Sequence, residues 1–342
     1  MNLPLNHPLN RFAVPAVIAV VALVSPLFLD DSALSVYIFL GLAAIVTVGV
    51  SLLMGYAGQV SLGQGAFYAV GGYTAGITAV DGLPPLVGLL TAPIVAAAFA
   101  IVVGVPLLRL RGHHLAFATL ATQLILLSLA GQLDFTGGDI GLQGIPLFSV
   151  GSIELHDARS YAYLTLAALA LVMLVARNVI ASRAGRGLRA LATSEVAAES
   201  SGVPVGRYKL VVFTLSAAFA GLAGGIYAFY TGYVAPGSFP VLLSIEFVVM
   251  AVVGGLGTIW GAVVGAAVIT LLLQLLNVIG TAPGMPSYAP SVLSYAVYAI
   301  VLIVVVLFFP RGLLGSIRAG ARSRPADRPP RPAETARQTT PS

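Results

Sequence analysis

Residues 34–54 read LSVYIFLGLAAIVTVGVSLLM and contain no charged side chain. A helix needs roughly 20 apolar residues to cross the hydrocarbon core of a bilayer, so this stretch is long enough to span a membrane. In a soluble protein, a helix that is apolar on every side would have to be buried completely. The stretch therefore predicts a transmembrane helix.

The composition of the whole chain extends that conclusion. Of its 342 residues, 58% are hydrophobic and only 8% are charged, whereas a soluble domain has about 45–50% apolar and about 25% charged residues. Lipid is the environment in which so much apolar surface can remain outside a protein core. The composition predicts an all-α, polytopic helical membrane protein, and the lack of cysteine excludes disulfides and thiolate metal sites.

Apolar runs recur along the chain and predict about ten transmembrane segments, some of them broken at glycines. The third and eighth runs are short, and broken or re-entrant helices are tolerated where protein shields the backbone from lipid. The first run predicts an uncleaved helix, because no small-residue cleavage site precedes Asp30 and Asp31. The ten runs are 12–29, 34–54, 66–80, 86–108, 115–133, 160–180, 209–232, 241–254, 259–279 and 288–309.

The distribution of basic residues predicts the orientation, because cytoplasmic loops are enriched in Lys and Arg. With a cytoplasmic N-terminus, only Arg159 of the 17 basic residues falls outside. The predicted order is a cytoplasmic segment 1–11, a transmembrane domain 12–309 and an Arg/Pro-rich cytoplasmic tail 310–342 too polar to fold. The basic charge thus reflects topology, and nucleic-acid binding is not expected.

Two loops outside the membrane are long enough to fold and to bind a partner. The external loop 134–159 mixes glycines with acidic residues, and is either a folded surface for an external partner or a flexible connection. The cytoplasmic loop 181–208 predicts a short helix that is capped by Ser194 and that cannot continue past Pro204.

The predicted short helix offers a surface of small residues. Ala197, Ala198 and Gly202 would let another protein approach closely, with Glu195 placed favourably at the positive end of the helix dipole. The alternative is a connecting hairpin with no partner. Both interpretations remain open on the residues alone.

Three blocks resemble one family. Residues 55–67 read GYAGQVSLGQGAF, residues 186–190 read RGLRA and residues 254–261 read GGLGTIWG. They are similar to the permeases of branched-chain amino-acid ABC importers, in particular the longer M-type subunit, and the resemblance extends from about residue 34 to 315. One departure is that Val196 stands where such permeases have Glu, with Glu195 displaced by one position.

The resemblance implies a set of partners and a location. A permease of this family would sit in the bacterial inner membrane beside a second permease, two cytoplasmic ATPase subunits that use the ATP, and an external solute-binding protein. The ATPase subunits would dock on the loop 181–208. The implied coupling residues are Arg189, Glu195, Ala197, Ala198 and Gly202.

A possible solute path is marked by polar residues among glycines. Gln59, Ser61 and Gln64 lie where glycines can break a helix, and they either line the path or are satisfied by internal hydrogen bonds. Thr119 and Gln123 share a helical face and are interpreted as contacts between helices.

A second glycine break follows the one ionisable residue inside a predicted crossing, Glu246. Because charges inside a membrane are costly, Glu246 is a functional candidate, and we expect a structural or gating role. The glycines of this break are Gly254, Gly255 and Gly257.

The sequence contains no phosphate-binding loop of the type GxxxxGK[ST], and no nucleophile–base or metal constellation. We therefore expect no catalytic residue, metal or cofactor, with ATP hydrolysis left to partner subunits. The expected function is inward movement of branched-chain or related small amino acids by alternating access. The alternatives are an ion-coupled secondary transporter that uses Glu246, and a passive channel for a small polar solute such as urea.

Overall fold

The computed structural model describes residues 20–110, 112–151 and 153–281. The predicted N-terminal segment 1–11, residues 12–19 of the first apolar run, the run 288–309 and the tail 310–342 lie outside the described residues. Within the described residues the fold is all-α, as the composition predicts.

Helices α1 to α10 form the described bundle, with short strands and 3-10 turns between them. The helices are α1 (Asp31–Ala57), α2 (Gln64–Val80), α3 (Pro85–Leu107), α4 (His113–Gln132), α5 (Ala158–Ala181), α6 (Arg183–Thr193), α7 (Glu195–Ser200), α8 (Val205–Thr231), α9 (Val241–Gly254) and α10 (Ile259–Gly280). The strands are β1 (Leu142–Gln143), β2 (Ser149–Val150), β3 (Ile153–Glu154) and β4 (Tyr233–Val234), paired antiparallel as β1–β4 and β2–β3.

The eight apolar runs between residues 34 and 279 each form a helix, which confirms those predictions. Within the described part of the chain, seven helices, counting α9 together with the turn before it, are long and apolar enough to cross a membrane. The chain is therefore a multi-pass membrane protein. Helix α2 has 17 residues and α9 has 14, so both are short, as predicted.

Helix α8 lies at the centre of the bundle and packs against α1, α2 and α3. Close approach is possible because small residues meet at the crossings. A Cβ added at Gly224 would overlap the carbonyl oxygen of Tyr68 on α2, and one added at Gly221 would overlap Ala96 on α3. Glycine here brings two helical backbones into direct contact.

The two ends of the bundle carry opposite charges. Because successive long helices alternate in direction, the start of α1, the end of α2 and the start of α5 share one end. That end has exposed carboxylates, namely Asp30, Asp31, Asp81, Asp134, Asp139, Glu154 and Asp157. The opposite end has Arg109, Arg177, Arg183, Arg186, Arg189, Arg207 and Lys209. This polarity agrees with the predicted orientation.

We expect Gly224→Ala to destabilise the bundle, because the new methyl group would push α8 away from α2. Overpacking of this kind costs about 1–3 kcal/mol. The measurement is the temperature at which half of the purified protein loses monodispersity in gel filtration.

The matched control is Gly206→Ala, near the start of α8, where an added Cβ meets nothing within 4 Å. It should leave that temperature unchanged or raise it slightly, because Ala favours a helix over Gly. Equal effects of the two substitutions would contradict the close-packing explanation.

Candidate functional site

The chain leaves helical geometry between α1 and α2, inside the predicted membrane domain. Gly58 takes φ +62° and ends α1, and the Gln59 N–H then donates to the Leu53 carbonyl at 3.2 Å. Gln59, Ser61 and Gly63 are buried. A backbone group without a partner costs several kcal/mol in lipid, so this segment needs donors and acceptors from elsewhere in the protein.

Side chains of α4 and α9 supply those partners. The Leu62 N–H donates to Thr119 Oγ1 at 2.9 Å, and the Gly65 N–H donates to Ser244 Oγ at 2.7 Å. Ser244 Oγ in turn donates to Gln123 Oε1 at 2.6 Å. Gln123 and Ser244 are both fully buried. These contacts join α2, α4 and α9 at one point inside the bundle.

Gln123 also holds the chain just before α9. Its Nε2 donates to the Phe239 carbonyl at 3.2 Å and to the Pro240 carbonyl at 3.4 Å. The structure therefore agrees with the interpretation of Thr119 and Gln123 as contacts between helices. Ser244 was missed by the sequence analysis, because a serine in an apolar helix is common and the backbone it would meet is distant in sequence.

The three predicted path residues differ in their surroundings. Ser61 Oγ accepts a hydrogen bond from the Gly63 N–H at 3.4 Å. Gln59 Oε1, by contrast, and both polar atoms of the Gln64 side chain are buried without a hydrogen-bond partner among the described residues. A buried polar group left in this way costs about 1–3 kcal/mol. Whether Gln59 and Gln64 line a solute path stays a prediction.

The second predicted break, after α9, lies against the first. Gly255 and Gly257 take φ +109° and +74° there. Gly55 touches the Gly257 backbone so closely that a Cβ would overlap it, and the Tyr56 hydroxyl donates to the Gly257 carbonyl at 2.9 Å. The fold thus joins two glycine breaks that are far apart in sequence.

Gly254 acts mainly in packing. A Cβ added at this position would overlap the Gly261 carbonyl oxygen on α10.

Glu246 is half-buried on α9 and makes no hydrogen bond or ion pair with any described residue. It lies two residues from Ser244 and therefore on a different helical face. Its gating role stays a prediction.

The cytoplasmic loop folds as α6 and α7, and the predicted cap is confirmed. Ser194 Oγ accepts a hydrogen bond from the Ala197 N–H at 3.3 Å. Gly202 takes φ +79°, and the Val203 N–H donates to the Ala198 carbonyl at 3.0 Å. The helix ends where Gly202 and Pro204 predict that it should.

The predicted surface of small residues is wrong in one respect. Ala198 is 1% exposed, because it lies on the inner side of α7, against the neighbouring helices. The side of the helix that bears Ala198 therefore faces the protein and is not available to a partner. The outer surface consists instead of Ala197 with Val196, which is 78% exposed, and Gly202.

Two predicted coupling residues hold the loop in place. Glu195 Oε1 lies 2.8 Å from Lys209 Nζ on α8, and Arg189 Nη2 donates to the Ile180 carbonyl of α5 at 3.3 Å. Lys209 was missed as a partner. A signal existed, since a lysine near the start of a helix opposes the helix dipole and needs another reason to be there.

The described part of the external loop is folded, which favours the predicted folded surface over a flexible connection. Strand β1 pairs with β4, strands β2 and β3 form a hairpin, and the loop backbone turns at glycines with positive φ. The Phe148 N–H donates to the Tyr161 hydroxyl at 3.0 Å, which attaches the loop to α5. Whether it meets a partner stays a prediction.

Comparison with known proteins places the chain in a family. Residues 32–306 match the family model described as "Branched-chain amino acid transport system / permease component". The chain belongs to this permease family. The match covers both glycine breaks and the cytoplasmic loop, and confirms the resemblance noted in the sequence.

The relatives give the same result. The chain is 33% identical to the high-affinity branched-chain amino acid transport system permease proteins LivM of Salmonella typhimurium and Escherichia coli, over 71% of this chain and 61% of each relative. It is 26% identical to LivH of Salmonella typhimurium, over 80% of this chain and 91% of that protein. Higher identity to LivM agrees with M-type character. No solved structure matches the chain.

The matched part of the chain spans 61% of the length of the two LivM relatives.

In the described part of the chain, no group of three or more His, Cys, Asp or Glu side chains could hold a metal ion.

We expect Ser244→Ala to destabilise the junction of α2, α4 and α9, because the Gly65 N–H would lose its partner inside the bundle. The cost should be about 1–3 kcal/mol, measured as a lower temperature of half-aggregation in gel filtration. Ser201→Ala, at an exposed position, is the control and should change little. A Ser244→Ala protein as stable as the control would show that the junction does not need this hydroxyl.

Proposed function

We propose that this chain is the permease subunit of an ATP-driven importer that carries branched-chain or related small amino acids across the inner membrane of a bacterium. The observation that carries the proposal is the capped helix α7, which presents Val196 and Ala197 to solvent at the basic end of the bundle. An exposed apolar face on a short, rigid helix is suited to docking by another protein. Membership of a permease family supports an ATPase subunit as the protein that docks there.

The other partners of the proposal are a second permease and an external solute-binding protein. Salmonella typhimurium has both a LivM and a LivH permease protein, and both are named for a high-affinity branched-chain amino acid transport system. This pairing supports a second, similar permease beside the present chain. The folded external loop, surrounded by exposed carboxylates, offers a surface for the binding protein.

The solute path of the proposal runs along the break between α1 and α2. Gln59 Oε1 and both polar atoms of the Gln64 amide have no hydrogen-bond partner among the described residues. Uncharged amides can bond to either charged end of a zwitterion without a fixed charge to trap it. Broken helices at depth commonly bind solutes through such groups. Alternating access would expose this segment first to one side of the membrane and then to the other.

A second candidate function rests on Glu246. A half-buried carboxylate with no partner among the described residues could bind and release a coupling ion or proton. The chain would then be a secondary transporter. Its uptake would collapse in the presence of a protonophore while ATP is held constant, whereas an ATP-driven importer would continue.

The docking surface can be tested with Ala197→Asp. Docking would then bury an unpaired carboxylate, which costs several kcal/mol. The amount of ATPase subunit that remains bound should therefore fall by at least about ten-fold. The measurement is mass spectrometry of the complex purified in mild detergent. Val150→Asp, an apolar-to-acid change on the external hairpin, is the control.

Ala198→Asp is unsuitable for this test, because Ala198 is buried and its substitution would disturb folding. Recovery of this chain alone from the native membrane, still active without ATP, would contradict the proposed importer.

The solute path can be tested with Gln59→Ala and Gln64→Ala. Loss of a hydrogen bond to the solute is worth about 0.5–1.5 kcal/mol, so the apparent KM for uptake should rise by about two- to ten-fold in each variant. Gln132→Ala, at the exposed end of α4, is the control. Normal apparent affinity and rate in both path variants would exclude these side chains from the path.

A further inference from the structure

The ion pair between Glu195 and Lys209 joins α7 to α8. Lys209 Nζ lies 2.8 Å from Glu195 Oε1, and the side chains are 14% and 37% exposed. Glu195 is the first residue of α7, and Lys209 lies in the second turn of α8. Among the described residues, this is the one side-chain hydrogen bond between the two helices.

The position of Lys209 near the start of α8 is unfavourable for a lysine. The first turns of a helix carry partial positive charge and favour acidic side chains, and Arg207 is also present there. A partly exposed ion pair contributes little to stability after solvent screening. The ion pair therefore matters mainly for geometry, because it keeps the start of α7 at a set distance from α8.

The remaining contacts make α6, α7 and the start of α8 one compact unit. Ala198 and Val205 are buried between α7 and its neighbours, and Gly187 of α6 lies against the Tyr208 ring so closely that a Cβ would come within 2.7 Å of it. The turn at Gly202 is exposed and contributes no packing of its own. The ion pair attaches the first residue of α7 to α8, whereas the turn at Gly202 follows the last residue of α7.

Helix α8 extends from this unit to the helices that flank the first break. A Cβ at Gly49 of α1 would come within 2.8 Å of Ser216 Oγ, and Gly71 of α2 touches Gly221 through its backbone. Helices α1 and α2 end and begin at the non-helical segment 58–63. A rigid tilt of α8 would thus act directly on the helices that bound the predicted solute path.

We propose that the Glu195–Lys209 ion pair is the link that makes α7 and α8 move as one body, so that Lys209 is a positioning residue for ATP-driven transport. The inference rests on the proposed function, in which an ATPase subunit docks on α7. Without the ion pair, apolar packing and the turn at Gly202 are the remaining connections between α7 and α8, and less of any displacement of α7 reaches α8.

The test uses the complete complex in proteoliposomes, with L-leucine as the solute and the ratio of ATP hydrolysed to leucine transported as the readout. Glu195→Lys and Lys209→Glu should each raise this ratio by about five-fold or more, the lower end of ordinary coupling between two sites. The double exchange Glu195→Lys with Lys209→Glu should restore it, as should Lys209→Arg alone. The amount of ATPase subunit bound should not change in Lys209→Glu, because Lys209 lies outside the exposed surface of α7.

Three outcomes would overturn the inference. The first is an unchanged ratio in both single variants, and the second is a double exchange no better than either single variant. The third is loss of the ATPase subunits in Lys209→Glu, which would assign the lysine to docking. If the unaltered chain binds no ATPase subunit, the proposed function fails and this inference fails with it.

A measurement on the full chain in nanodiscs separates motion from transport. The chain contains no cysteine, so Ser200→Cys on α7 and Val211→Cys on α8 accept spin labels at those two exposed positions alone. Lys209→Gln should broaden the distribution of the distance between the labels. Arg207→Gln, which removes an exposed charge of the same helix, is the control, and equal distributions in both variants would contradict the link.

Discussion

Every backbone N–H and C=O group inside a bilayer needs a hydrogen-bond partner within the protein, and this requirement governs the rest of the structure. A continuous helix meets it without help. Here α1 stops at Gly58 and α2 starts at Gln64, so the segment between them depends on α4 and α9. Thr119 and Ser244 provide the bonds, and Gln123 holds the chain that leads into α9.

Those side chains reach the break only because the helices approach one another unusually closely. Threonine and serine side chains are short, so their helices must lie almost in backbone contact with the segment they serve. Gly63 lies against the Thr119 backbone, and Gly65 lies between Gln123 and Ser244. The glycines are therefore needed twice, once to leave the helical path and once to admit the groups that compensate for leaving it.

The features that sequence reasoning could predict are those with a local cause. Apolar runs longer than a bilayer crossing form helices, and Ser194 with Pro204 bounds α7, because the responsible atoms lie within a few residues. The Gly65–Ser244 bond and the contact of Gly55 with Gly257 join segments about 200 residues apart in sequence. The burial of Ala198 likewise depends on how α7 is rotated against its neighbours, which no pattern within loop 181–208 specifies.

A break stabilised by side chains differs from a helix in how it can change. Moving a helical residue breaks a backbone bond that has no substitute in lipid, whereas a hydroxyl such as that of Ser244 can rotate and bond to a different partner as α9 shifts. Gln123 has two donors and two acceptor lone pairs, so it too can exchange partners while remaining satisfied. The junction of α2, α4 and α9 can therefore adopt a second arrangement without exposing backbone to lipid. This property is required of any segment that opens to alternate sides of a membrane, and a helix without breaks or internal prolines, such as α5, lacks it.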